Sequence, residues 1–276
     1  MAKALKYSAQ SIWRKLNQAM EEFGDFAYFS FQSVITRSMP SASLMLPICY
    51  RVGVQSVAVV SITGMFIGMV LAVQAYSQFQ ALGLATQLGH IINVSVVKEL
   101  GPVLAAVMLA GRVGGAMAAE IATMKVTEQI EALRCLGVNP LQYLVLPRFL
   151  ACVLLIPALT TLANFMGVFG GSMVCTHIYS IDPYHYWQNS KGHISLYDVI
   201  TGLIKPLFFG AAISLISCHR GMNARAGAEG VGRAATSAFV LSFVSILALD
   251  FFIALFLNEL HTYIWPGYVA KAFGPK

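Results

Sequence analysis

Charge is what this sequence has least of. Only 11% of its 276 residues are Asp, Glu, Lys or Arg, whereas soluble domains carry roughly 25%. No such residue lies between Arg51 and Lys98, and none from Phe149 to Ile181. A bilayer core takes about 20 apolar residues per helix, so each run can supply a span. With 57% hydrophobic residues and a mean hydropathy of +0.69, the chain reads as an all-α integral membrane protein, and a soluble domain is excluded. Other absences narrow the function. The five cysteines (Cys49, Cys135, Cys152, Cys175, Cys218) are scattered, odd in number and never in CxxC spacing, which argues against a disulfide framework or a zinc site. No GxxxxGK[ST] occurs, so no loop can cradle a triphosphate in the P-loop manner. Gly227, Gly230 and Gly232 beside Arg233 form a glycine-rich loop without the preceding strand or the lysine, most simply a turn. The first twenty residues are polar and basic, and no cleaved signal peptide is expected.

What is present falls into five apolar runs, about Val52–Ala75, Leu88–Ala118, Phe149–Cys175, Val199–Cys218 and Thr236–Leu257. The second is long and should bend at Gly101-Pro102, where proline removes a helix hydrogen bond. The basic residues sort unevenly around these runs. Six precede or open the first (Lys3, Lys6, Arg14, Lys15, Arg37, Arg51), four join the second to the third, and Arg220, Arg225 and Arg233 join the fourth to the fifth. The opposite face receives only Lys191, Lys271 and Lys276. By the positive-inside rule the N-terminus lies in the cytoplasm and the C-terminus outside. The surplus of positive charge therefore suits a membrane surface better than nucleic acid. Leu5, Ile12, Trp13, Leu16, Met20 and Phe23 recur at helical spacing with lysines and arginines between them, which predicts an interfacial helix. The expected organisation is an interfacial and elbow segment over 1–50, a transmembrane domain over 51–258, and an external tail over 259–276.

One polar island interrupts the apolar chain. Ala118–Arg148 reads AAEIATMKVTEQIEALRCLGVNPLQYLVLPR. Thr127 can cap a short helix whose first turn carries Glu128 and whose last carries Arg134, with Gly137 and Pro140 after it. Val126, Ile130 and Leu133 share one face. Such a helix either seats in a groove of a soluble partner or merely connects two spans.

Here the residues resemble a known family. GRVGGAMAAEIATMKVTEQIEAL (Gly111–Leu133), preceded by KELGPVLAAVMLA and followed by LGVNPLQYLVLPR, is similar to the signature of the MlaE/YrbE permeases. AGAEGVGRAAT (Ala226–Thr236), running into SILALDFF (Ser245–Phe252), resembles the same family's last loop and last span. The resemblance implies the membrane subunit of an ABC transporter that moves phospholipid or a related lipid. That subunit pairs with a second copy of itself, a cytoplasmic ATPase dimer that uses ATP and Mg, and a periplasmic ring of MCE-domain subunits. The chain itself would need no cofactor and would not be an enzyme. The implied location is a bacterial inner membrane, and the implied role supports outer-membrane lipid homeostasis. Glu120, Thr123, Lys125, Thr127, Glu128, Gln129 and Glu131 would lie in or beside the ATPase contact.

Four charges interrupt the spans themselves. Counted from Arg112, Arg220 and Arg233, the residues Lys98, Glu99, Lys205 and Asp250 all fall roughly 20–25 Å above the basic edge at about 1.5 Å per residue. Each would cost about 2.5–3.5 kcal/mol near a helix centre if left alone. Two are basic and two acidic, so they are expected to form one interhelical cluster, either a static clasp or a gate. Leu71, Gln74, Tyr76 and Phe79 are the expected lining of a lipid cavity. Gly64/Gly68 and Gly111/Gly115 have GxxxG spacing, which suits a dimer seam or packing within one subunit. On the outer face Asp182-Pro183 can start a helix, with Tyr179, Tyr184, Tyr186 and Trp187 at headgroup level. His177, His185 and His193 share that segment, but no further ligand pattern completes a metal site. Two rival readings differ in class. A self-sufficient secondary transporter would show internal repeats, and none is evident. A lipid enzyme would need a nucleophile–base pair or a metal.

Overall fold

The computed structural model describes residues 20–21, 24–33, 41–83, 88–193 and 196–264. Most of the expected N-terminal amphipathic helix, Arg37 and the last twelve residues lie outside the described residues. Among the described residues, five helices are long and apolar enough to cross a membrane: Ala42–Ala81, Leu88–Val126, Leu141–Ile178, Tyr197–Met222 and Ala228–Leu260. They are called the first to fifth spans below. Two short helices sit between them, Gln129–Cys135 and Pro183–His193. The last span continues helically to Ile264. Each span extends beyond the charge-free run that reveals it, because helical hydrogen bonding continues into polar residues at both ends. The chain is a multi-pass membrane protein.

The first and third spans form the tightest seam. A Cβ on Gly68 would come within 1.8 Å of the Gly167 carbonyl oxygen, and one on Gly64 within 2.5 Å of the Ala163 carbonyl. A Cβ on Gly170 would likewise come within 2.3 Å of the Met65 carbonyl oxygen. Small residues let backbones approach where lipid gives little drive to helix association. The GxxxG of the first span is therefore used within the chain. Val60, Leu109, Ile156, Phe209, Ile213 and Ile246 draw all five spans into one buried core.

The second span has a local cause for its irregularity. A wide π-type turn over Val96–Leu100 closes with the Gly101 N–H on the Val96 carbonyl. The next carbonyl in that register, Val97, faces Pro102, which has no N–H. Asn164 of the third span donates to the Val97 carbonyl at 3.4 Å. The irregular turn thus carries Lys98 and Glu99, and such turns are frequent at functional positions.

The two ends of the bundle differ. At the end opposite the arginines, Ala72, Leu88, Ile92, Val174 and the fully buried Tyr186 make a second core. Asp182 starts the helix Pro183–His193, its Oδ1 accepting from the Tyr184 N–H at 3.0 Å. Tyr186 donates to Asn93 at 3.2 Å, and Asn93 donates to Ser190 at 2.9 Å. Tyr186 is therefore a core residue and does not sit at headgroup level, whereas Tyr184 and Trp187 are exposed. Outward faces of the first and fifth spans remain apolar, with Ile62, Phe66, Phe252 and Phe256 exposed. In water such a surface would drive association; in a bilayer it is solvated.

Candidate functional site

At the arginine-rich end, the second span stops at Val126. Thr127 closes it from behind: its N–H and its hydroxyl both donate to the Thr123 carbonyl, at 3.0 and 2.8 Å. Thr127 thus caps the C-terminal end of the second span and is not the N-cap of the short helix. That start falls on Glu128, which takes the left-handed conformation, φ 60°, with no side-chain cap bond. At the other end Gly137 has φ 73°. Its N–H meets the Arg134 carbonyl at 3.0 Å and the Val138 N–H meets the Leu133 carbonyl at 3.0 Å, the paired bonds of a Schellman turn.

The apolar stripe of this helix turns inward. Ile130 is fully buried with Ile121, Leu144, Val145 and Cys218, and Leu133 packs beside them. The protein's own core consumes the stripe, because the helix packs against the ends of the second, third and fourth spans. Lys125 adds a strut, donating to Glu131 at 2.7 Å, and that hydrogen bond holds the Glu131 carboxyl below its ordinary range. Glu120 bridges two spans, receiving Arg51 on one oxygen and Arg148 on the other at 3.2 Å. What remains outward is polar and small: Thr123, Glu128, Gln129 and Ala132, then Cys135 and the 77% exposed Leu136. Leu136 has no counterpart among the residues singled out from sequence, since it lies past the periodic stripe.

In the other half of the bundle, Lys205 of the fourth span is fully buried. Its ammonium lies 2.5 Å from Glu99 of the second span and 2.9 Å from Asp250 of the fifth. Lys98 does not join them. It turns to Asp198 at 3.4 Å and lies 5.7 Å from the Tyr197 ring centroid. Neighbouring residues on a helix point about 100° apart, so Lys98 and Glu99 cannot both face Lys205. Lys98, Glu99, Tyr197, Thr201 and Asn258 line a cavity of about 280 Å³ beside this trio. Asp198 and Tyr197 escaped the sequence reading because they sit just before the apolar run of the fourth span.

Leu71, Tyr76 and Phe79 pack on the core at the opposite end, with Tyr76 stacked on Tyr179 at 3.6 Å, and Gln74 is exposed. Within one chain these four line neither this cavity nor the larger one at the arginine-rich end. Among the described residues no group of three or more His, Cys, Asp or Glu could hold a metal ion. The His177 ring contacts the Thr176 hydroxyl at 2.9 Å, while the side chains of His185 and His193 lie outside the described residues.

Comparison with known proteins shows the family. The family model described as Permease MlaE matches residues 45–256. A probable ABC transporter permease protein of Rickettsia felis is 39% identical over 89% of this chain and 95% of its own length. The intermembrane phospholipid transport system permease protein MlaE of Haemophilus influenzae is 36% identical over 75% of this chain and 80% of its own. The chloroplastic protein trigalactosyldiacylglycerol 1 of Arabidopsis thaliana is 36% identical over 76% of this chain and 60% of its own. The match spans all five helices, the short helix at the arginine-rich end and the Lys205 trio, and the chain belongs to the MlaE permease family.

Proposed function

We propose that this chain is the membrane-spanning subunit of an ATP-driven transporter that moves phospholipid or a related lipid between a bacterial inner membrane and an external MCE-domain carrier. Two copies form the pathway, and a separate pair of cytoplasmic ATPase subunits drives them. The arginine-rich end faces the cytoplasm, as the distribution of basic loops favours. The N-terminus lies on that side and the C-terminus on the other.

The observation that carries this reading is the short helix Gln129–Cys135. It is seated on the spans by buried Ile130, yet it presents Glu128, Gln129 and Ala132 outward. A push on that outer face is transmitted through Ile130 and the Lys125–Glu131 strut into the second, third and fourth spans. Packed interiors transmit displacement because they hold few voids. Glu120, tying Arg51 to Arg148, extends the connection to the first span. ATP and Mg act in the ATPase partner. This chain's own residues receive the motion and shape the lipid path.

At the other end of the path, Glu99, Lys205 and Asp250 join three spans through one ammonium. A pairing of this kind either clasps the bundle or opens with the cycle. The aromatic-rich outer segment around Tyr184 and Trp187 is the surface offered to the MCE carrier.

The test is transfer of labelled lipid between proteoliposomes and the MCE carrier, with and without the ATPase. Transfer that requires the ATPase and hydrolysable ATP supports the reading. Transfer driven by an ion gradient with the ATPase omitted would make the chain a secondary transporter.

A further inference from the structure

The first, second and third spans diverge at the arginine-rich end and leave a cavity of about 510 Å³. Ligand pockets for small molecules commonly measure about 300–1,000 Å³. Its walls are chiefly apolar, including Leu44, Ile48, Val113, Met117 and Leu144. Among the described residues, three guanidinium groups reach the same space, those of Arg51, Arg112 and Arg148, against a single carboxylate, Glu120.

The pairing leaves a surplus of positive charge. Arg148, only 8% exposed, donates to the Leu144 carbonyl at 2.8 Å and to Glu120 at 3.2 Å. Arg51 takes the other oxygen of Glu120. Arg112 donates one N–H to the Gln55 carbonyl. A guanidinium has five N–H donors, so Arg51 and Arg112 each keep several for a further acceptor. One carboxylate among three guanidiniums leaves a local charge of +2 among the described residues (three minus one). Arginine forks match phosphate oxygens bidentately.

The occupant must therefore be anionic at one end and apolar along the rest. A soluble phosphate would satisfy the arginines and leave the apolar walls wet. An acidic peptide would press backbone N–H and C=O groups against walls with few partners, which is costly. A lipid satisfies both, and the surroundings supply it. Leu46 and Tyr50, on the same stretch of the first span, are 69% and 57% exposed, an apolar surface that a bilayer covers.

We infer that this cavity binds the phosphodiester headgroup and upper acyl region of an anionic membrane lipid, taken from the leaflet at the arginine-rich end. Arg51 and Arg112 are the phosphate ligands. Glu120 holds Arg51 until lipid arrives, and Arg148 anchors Glu120. The site is distinct from the Lys205 trio: Arg112 and Glu99 lie thirteen residues apart on the second span, about 20 Å of helix. That the bound lipid goes on to be moved rests on the transport reading above; that it binds does not.

The test uses the full chain with its ATPase in nanodiscs of phosphatidylcholine doped with phosphatidylglycerol, and native mass spectrometry counts the lipid retained. Wild type should retain phosphatidylglycerol preferentially. Arg51→Gln with Arg112→Gln should lower that retention by about tenfold, the scale of losing one charge-assisted hydrogen bond. Ala116→Phe, at an exposed position lining the cavity, should do the same with every charge kept. Arg51→Gln alone alters a side chain that is 62% exposed, so its loss of lipid reports on the site and not on folding. Excess glycerol 3-phosphate should leave the lipid in place. Wild-type retention in these variants would overturn the inference. So would displacement by glycerol 3-phosphate, or an Ala116→Phe chain that releases the ATPase but keeps its lipid. ATP is absent throughout, so failure here leaves the transport assay free to succeed.

Discussion

The ammonium of Lys205 lies 2.9 Å from the Asp250 carboxylate, a tie between the fourth and fifth spans whose lysine is fully buried while the Asp250 side chain is 22% exposed. Glu99 takes the same ammonium from the second span. Two carboxylates on one ammonium make the lysine the indispensable member. Removing one partner of a fully buried pair typically costs about 3–5 kcal/mol. The Asp250 and Glu99 side chains are 22% and 43% exposed, so the cost here is smaller, but Lys205→Met strands both acids at once. It should lower folded yield and melting temperature in detergent more than Asp250→Asn, which leaves Lys205 paired with Glu99. The single reversals Lys205→Glu and Asp250→Lys should abolish lipid transfer, and the double reversal should recover part of it. Unchanged transfer and protein level in both single reversals would exclude any role for the trio.

Gly68 tests the seam between the first and third spans. A methyl group there would press into the Gly167 carbonyl, and overpacking of this kind costs typically about 1–3 kcal/mol. Gly68→Ala should lower the melting temperature measurably. Gly232→Ala, whose new Cβ meets nothing within 4 Å, should not.

Glu128 separates the needs of the fold from those of function. Its left-handed backbone, φ 60°, is disfavoured for a residue with a Cβ by roughly 1–2 kcal/mol. Glu128→Gly should therefore leave the melting temperature equal or higher. Glu128→Lys with Glu131→Lys should instead uncouple ATPase stimulation from lipid, read as basal hydrolysis without the lipid-dependent increment. Normal ATPase co-purification and normal transfer in the double variant would count against coupling through this helix.

Much of this architecture was legible in the residues, for reasons that can be stated. Charge-free runs mark spans because bilayers exclude isolated charge, and depth arithmetic brings Glu99, Lys205 and Asp250 to about one level because the π-type turns of the second span change its length little. Depth says nothing of rotation about the helix axis, so the sequence groups Lys98 with the trio although it faces Asp198. The stripe of Ile130 and Leu133 was visible, but its direction depends on how the chain reverses at Glu128, a turn made by a residue whose type does not announce it. The partner of Gly64 and Gly68 was hidden for a similar reason. Spacing reveals a smooth helix face, and only the fold shows that Ala163 and Gly167 cover it.

Acidification should loosen the short helix. The hydrogen bond from Lys125 holds the Glu131 carboxyl below its ordinary value, so the ionised form is favoured in the folded state. The contribution is complete above the unfolded carboxylate range, about 4.3, and fades as pH falls through the lowered value. Amide exchange over Gln129–Cys135, corrected for intrinsic rate, should rise below about pH 4. In Glu131→Gln this segment should exchange faster at neutral pH and show little further change on acidification.

The most direct test of the central claim places a photo-crosslinking amino acid at Gln129, on the outer face of the short helix, in cells that express the whole transporter. Coupling through this helix should give a covalent adduct with the cytoplasmic ATPase whose yield changes between the nucleotide-free and ATP-bound states. Labelling of this position by a membrane-impermeant reagent from outside the cell, with no ATPase adduct, would contradict it.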